Sequence, residues 1–133
     1  MDDPRAKITA FFTADPRAAD LVAVYLFGST ARGTAAAGSD VDVGVLYRAA
    51  PRPTLLDQPF DVTADLSEML GRQVDMVVMN GAPVDLVKRI LRDGEVLIER
   101  DRSARIAFEV RARNEYFDLL PILRLYRRQA ARS

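Results

Sequence analysis

The sequence predicts an α/β fold in which a short mixed sheet is packed with helices and followed by a long C-terminal helical segment. Three observations carry this. The run Leu21 to Phe27 is apolar throughout and ends at Gly28, the pattern of a strand buried on both faces. Asp40 to Tyr47 alternates with period two, and so does Val74 to Met79, which gives a second and a third strand. Around them apolar residues recur three and four apart, so helices alternate with the strands.

Taken in order, Asp3-Pro4 followed by Ile8, Phe11 and Phe12 predicts a capped helix that stops near Asp15-Pro16. After the first strand, Gly28-Ser29-Thr30-Ala31-Arg32-Gly33 predicts a tight turn into a short helix that Gly33 ends. Residues 34–39, Thr-Ala-Ala-Ala-Gly-Ser, form a small-residue loop, and residues 48–53, with two prolines, form another. Leu55 to Leu70 reads as one helix closed by Gly71. The third strand stops at Asn80-Gly81. Pro83 then opens a helix through Arg92, with Val84, Val87, Ile90 and Leu91 on its apolar stripe and Gly94 beyond its end. Glu95 to Glu99 gives one further short strand. Asp101 to about Arg128 has helical periodicity through Ile106, Val110, Phe117, Leu120 and Leu123, and Pro121 is expected to kink or divide it.

A chain of 133 residues suits a single domain, 1–133, of which 101–133 is the C-terminal helical segment. The formal net charge is zero, so nothing global points to a nucleic-acid surface. The balance is uneven, however. Arg100 to Ser133 holds nine Arg against four Asp or Glu, a local excess of five positive charges that suits an acidic partner or a solvated helix. Cysteine is absent, which excludes disulfides and thiolate chemistry. Histidine is absent too, so the commonest general base and the commonest zinc ligand are both missing. Any metal must be held by oxygen, which favours magnesium or manganese. No apolar run approaches the roughly 18 residues of a membrane helix, and the acidic start Met1-Asp2-Asp3-Pro4 is unlike a secretory signal. The expected location is the cytoplasm.

Three acids interrupt otherwise apolar strands. Asp40 and Asp42 share one strand face, and Asp75 breaks the next strand. Carboxylates gathered in a greasy sheet repel one another and are costly to desolvate, and a divalent cation is the simplest remedy. If the two strands are neighbours, all three can share one or two magnesium ions, which would also bridge a nucleotide's phosphates. The plainer alternative is that these are strand-end acids facing solvent. The Gly28-Ser29 turn weighs against it, because backbone N–H groups and a hydroxyl between a buried strand and a short helix form an anion site. Arg32 offers a fork of donors for phosphates, or is an exposed helix arginine. Two other patterns fail on spacing. Thr34 stands where a P-loop needs lysine, and Asp40-Val41-Asp42-Val43-Gly44 suits a strand better than a calcium loop.

Gly28-Ser29, ten intervening residues and Asp40-Val41-Asp42 match the signature of the minimal nucleotidyltransferases, relatives within the polymerase-beta nucleotidyltransferase superfamily. Asp75 in Val74-Asp75-Met76-Val77 resembles that family's third carboxylate, and Gly94 to Asp101 with the following helix resembles its tail. The resemblance implies a polymerase-beta-like core and magnesium-dependent transfer of a nucleotide monophosphate, AMP from ATP. It implies that Asp40 and Asp42 chelate metal, that Gly28 and Ser29 hold the triphosphate, and that Asp75 completes the metal site and takes the acceptor's proton. It also implies an antitoxin role in which the acceptor is a tyrosine of a HEPN-type ribonuclease toxin. Two alternatives are a small-molecule nucleotidyltransferase of the antibiotic-modifying kind, for which this chain lacks a drug-binding domain, and a non-catalytic antitoxin that acts by contact.

Overall fold

The computed structural model describes residues 3–33, 39–52 and 54–132. Most of the small-residue loop at 34–39, including Thr34, lies outside the described residues, as do Pro53 and the Met1-Asp2 start. Among the described residues the strands are β1 (Leu21–Phe27), β2 (Val41–Tyr47), β3 (Val74–Val78) and β4 (Glu95–Glu99). They form one sheet in the order β3-β2-β1-β4. β1 pairs antiparallel with β2 and β4, whereas β2 and β3 run parallel, so the sheet is mixed as expected.

Helices cover both faces. On one face, α1 (Arg5–Ala14) and α3 (Phe60–Leu70) bury Ile8, Phe12, Val62 and Leu66 against Val24, Leu26, Val41, Val43 and Val45. The other face, with Tyr25 and Leu46 joined by Met79 from the 3-10 turn after β3, packs against Val87 and Ile90 of α4 (Val84–Asp93) and Ala112 of α5 (Arg102–Arg132). β1 is therefore buried on both sides, as its apolar run predicts. The short helix α2 (Gly28–Arg32) begins at the end of β1 without an intervening turn, and Gly33, at φ 73°, ends it in the left-handed conformation.

Several boundaries differ from expectation: β2 begins at Val41, so Asp40 does not share a strand face with Asp42 but precedes the strand, and Met79 leaves β3 for a 3-10 turn, Met79–Gly81. The helix expected from Leu55 begins only at Phe60, because Pro59 leaves helical geometry (φ −81°, ψ 53°) and isolates a 3-10 turn at Leu55–Asp57. At the other end Pro121 does not divide the C-terminal segment. α5 runs unbroken through 31 residues, about 46 Å at helical rise. No helix among the described residues is long and apolar enough to cross a membrane.

α5 is fastened to the sheet near its start. The Tyr25 hydroxyl donates to Glu109 Oε2 at 2.9 Å, and Glu109, itself only 9% exposed, also accepts from Arg105 and from Arg113. Burial, and then the Glu109 charge, push the Tyr25 phenol far above its ordinary pKa, so it remains a donor throughout the working range. Tyr25→Phe is expected to cost about 1.5 to 3 kcal/mol, the usual worth of a hydrogen bond to a charged group, read as a lower midpoint in denaturant titration. An unchanged midpoint contradicts the fastening role.

Candidate active site

β2 and β3 are neighbours in register, with Asp42 directly opposite Asp75. Val41, Val43 and Val45 point into the layer beneath α1 and α3, so Asp42 and Gly44 face the side of α4. A Cβ on Gly44 would lie 3.0 Å from Met79 Sδ and 3.7 Å from Ile90 Cγ2, as expected for that face. Asp75 is exposed at the sheet's edge strand and Asp42 is half-buried. Asp40 is exposed just before β2 and outside its ladder.

Asp42 senses the other two charges. Burial raises the Asp42 carboxyl above its ordinary pKa, the charges of Asp75 and then Asp40 push it the same way, and the Arg32 guanidinium pulls it back. Arg32, exposed on α2, thus lies within electrostatic reach of Asp42.

The glycine-serine junction abuts this acid. Gly28 has φ 73°, and a Cβ placed there would fall 2.1 Å from Asp42 Oδ2. No other residue leaves room for that carboxylate in its present position. Gly28→Ala should therefore displace the Asp42 side chain, which can swing, rather than break the sheet, and it adds the strain of a left-handed alanine, roughly 1 to 2 kcal/mol. The expected result is a folded protein with a slightly lower melting temperature and, given the cation-holding role the family resemblance implies for Asp42, some tens-fold slower transfer, since a misplacement of about 1 Å at a site costs on the order of a hundredfold. Unimpaired turnover in Gly28→Ala contradicts the close approach. Ser29 is half-buried on the same short helix.

Among the described residues no three carboxylates converge into a metal cluster. The donor set still fits a hard divalent cation. It is all oxygen, two of its members stand in register on adjacent strands, and the third is close enough to disturb the first.

A model of the polymerase beta nucleotidyltransferase family matches residues 6–103. The chain belongs to that family. The match covers the whole sheet of this nucleotidyltransferase and stops at the first turn of α5. It is 34% identical to a protein of solved structure assigned as a minimal nucleotidyltransferase, over 71% of this chain and 95% of that one, with a TM-score of 0.57. It also resembles a chain of a toxin–antitoxin crystal structure with AMP-PNP, at 21% identity and a TM-score of 0.79, over 98% of this chain and 99% of that one. A third similar chain is from the complex of a tri-AMPylated Shewanella oneidensis HEPN toxin with its MNT antitoxin, at 20% identity and a TM-score of 0.74, over 96% and 95% of the two chains. The latter two likenesses extend to nearly the full length, α5 included, and concern the fold. No curated protein sequence matches the chain.

Two features of this nucleotidyltransferase were not read from the sequence. The Thr30 hydroxyl is buried within α2 and has no hydrogen-bond partner among the described residues. Asn80 accepts from the Tyr47 N–H at 2.9 Å and donates to the Tyr47 carbonyl at 2.8 Å, so its amide continues the pairing to the last residue of β2 after β3 itself has ended. The Asn80-Gly81 pair signals only the stop of β3. That its amide reaches another strand depends on tertiary placement.

Proposed function

We propose that this chain is a single-domain cytoplasmic enzyme that moves AMP from ATP onto a hydroxyl of a partner protein, a tyrosine of a HEPN-type toxin, and thereby acts as the toxin's antitoxin. The observation that carries the reading is the in-register pair Asp42 and Asp75 beside a glycine that Asp42 requires. Asp40, Asp42 and Asp75 would hold magnesium, or manganese in its place. When bound, that cation neutralises charge on the phosphates and orients the α-phosphoryl group.

The residues divide the remaining work. The backbone at Gly28 and Ser29, with the Ser29 hydroxyl, binds the triphosphate, and Arg32 adds a guanidinium fork to it. Asp75 is the more exposed of the paired acids and lies at the sheet edge, where an acceptor can approach. It takes the proton from the attacking hydroxyl as that oxygen bonds to the α-phosphorus. The bond from the α-phosphorus to its bridging oxygen breaks, and pyrophosphate leaves.

A protein acceptor is favoured over a small molecule by α5. Beyond Ala112 no described residue of this helix is buried, and Phe117, Ile122, Leu125 and Tyr126 are each at least half exposed. The toxin partner and AMP transfer onto it come to this chain from its likeness to the complex that contains an AMPylated HEPN toxin, and the tyrosine acceptor from the family resemblance of its sequence. The test is magnesium-dependent incorporation of label from ATP into a purified cognate partner. Neutralisation of the partner with no label incorporated would instead make the protein a contact inhibitor.

A further inference from the structure

α3 ends in a Schellman motif: Gly71 is left-handed at φ 65°, its N–H meets the Glu68 carbonyl, and the Arg72 N–H meets the Ser67 carbonyl at 3.3 Å. That turn swings Arg72 back toward the segment entering β2. Its guanidinium donates twice to one acceptor, the Ser39 carbonyl, from Nε at 2.9 Å and Nη2 at 2.6 Å. The next residue of the chain, Gln73, accepts the Val41 N–H at 2.9 Å. Asp40 is thus held from both sides by residues 72 and 73, although it lies outside the strand ladder and is itself exposed.

We propose that Arg72 is a positioning residue for Asp40: its two hydrogen bonds to Ser39 fix the backbone that aims the outermost carboxylate of the acidic site. This rests on the reading of Asp40 and Asp42 as cation ligands. Without the guanidinium, the peptide before Asp40 loses its side-chain anchor, and an exposed carboxylate on a loosened peptide contributes less to a shared site.

Charge and position predict opposite results here. A nearby guanidinium repels a bound cation, so if Arg72 acted only as a charge its removal would tighten cation binding. If it positions Asp40, removal weakens binding. Mn2+ affinity is measured by electron paramagnetic resonance on the full chain, alongside steady-state transfer kinetics, for Arg72→Ala, Arg72→Gln and Arg72→Lys. Arg72→Ala is expected to weaken Mn2+ binding about tenfold or more, the usual effect of losing a group that orients a ligand. Arg72→Lys, which keeps one donor at best, should fall between, and Arg72→Gln should follow the number of hydrogen bonds it keeps rather than its charge. Thermal melts identify any variant that fails to fold, and the milder two then carry the comparison. Equal or tighter Mn2+ binding in folded Arg72 variants, where Asp42→Asn abolishes it, overturns the inference alone. Absence of Mn2+ binding by the unmodified protein, or binding that Asp42→Asn leaves intact, overturns the metal reading and this inference with it.

Discussion

Asp42→Asn is expected to reduce nucleotide transfer by roughly three orders of magnitude or more, about 4 kcal/mol of transition-state stabilisation. Asp42 is the hub of the site, opposite Asp75, within electrostatic reach of Asp40 and Arg32, and pressed against Gly28. Asparagine keeps the shape and removes the charge, so the sheet should survive. Stability should move the other way. The Asp42 carboxyl has a raised pKa in the folded protein, so folding favours its protonated form, and that contribution fades as pH climbs through the raised value. The metal-free Asp42→Asn variant should therefore melt at or above the parent temperature at neutral pH, with the difference vanishing in acid below the ordinary carboxylate range. Saturating magnesium should reverse the order by stabilising only the parent. Transfer at the parent rate, or a variant less stable than the metal-free parent at pH 7, contradicts the role given to Asp42.

Truncation at Asp118 is expected to weaken partner binding by about three orders of magnitude while the sheet remains folded. The removed segment carries Leu119, Ile122, Leu125 and Tyr126, all exposed, together with Arg124, Arg127 and Arg128. Aromatic and arginine side chains are the usual anchors of interfaces, each worth about 2 kcal/mol or more at a hot spot, so two or three suffice for that loss. The part of α5 that is kept still contains the Tyr25–Glu109 fastening and Ala112 in the core. Among the contacts of the helix beyond is the Arg127 and Asp85 ion pair at 3.9 Å, exposed and of small worth. Calorimetric titration of the truncated chain with its partner, and of the Tyr126→Ala and Arg127→Ala pair, measures the effect. A folded truncation that binds as tightly as the full chain assigns this segment no part in docking.

The sequence was most legible where period and punctuation agree. β1 was readable because an unbroken apolar run meets a glycine, and the acidic strand because valines alternate with aspartates around Gly44. The consequence of that alternation, that Asp42 and Asp75 meet, was conditional on the strands being neighbours, and only the βαβ crossover through α3 makes them so. Local signals misled at two prolines. The sequence around Leu55 and Leu56 continues the apolar pattern, yet Pro59 stops the helix from starting there. Pro121 is expected to kink or divide α5, and the helix runs through it undivided. Arg72 gave no signal at all, since a single arginine after a helix-ending glycine acquires its role only when the chain folds back to Ser39.

The alignment of β2 with β3 ties folding to chemistry. Along both strands one face is aliphatic and the other bears the acids, so a slip of one residue would turn Asp75 toward Ile8, Phe12 and Leu66 and expose Met76 in its place. A molecule in that register would lose its packing and its acid pair together. Residues 42 and 75 are distant in the chain, so pairing them requires closing the loop that the βαβ crossover through α3 spans. Deleting one residue between Gly71 and Val74 is expected to shift the register and remove both properties at once.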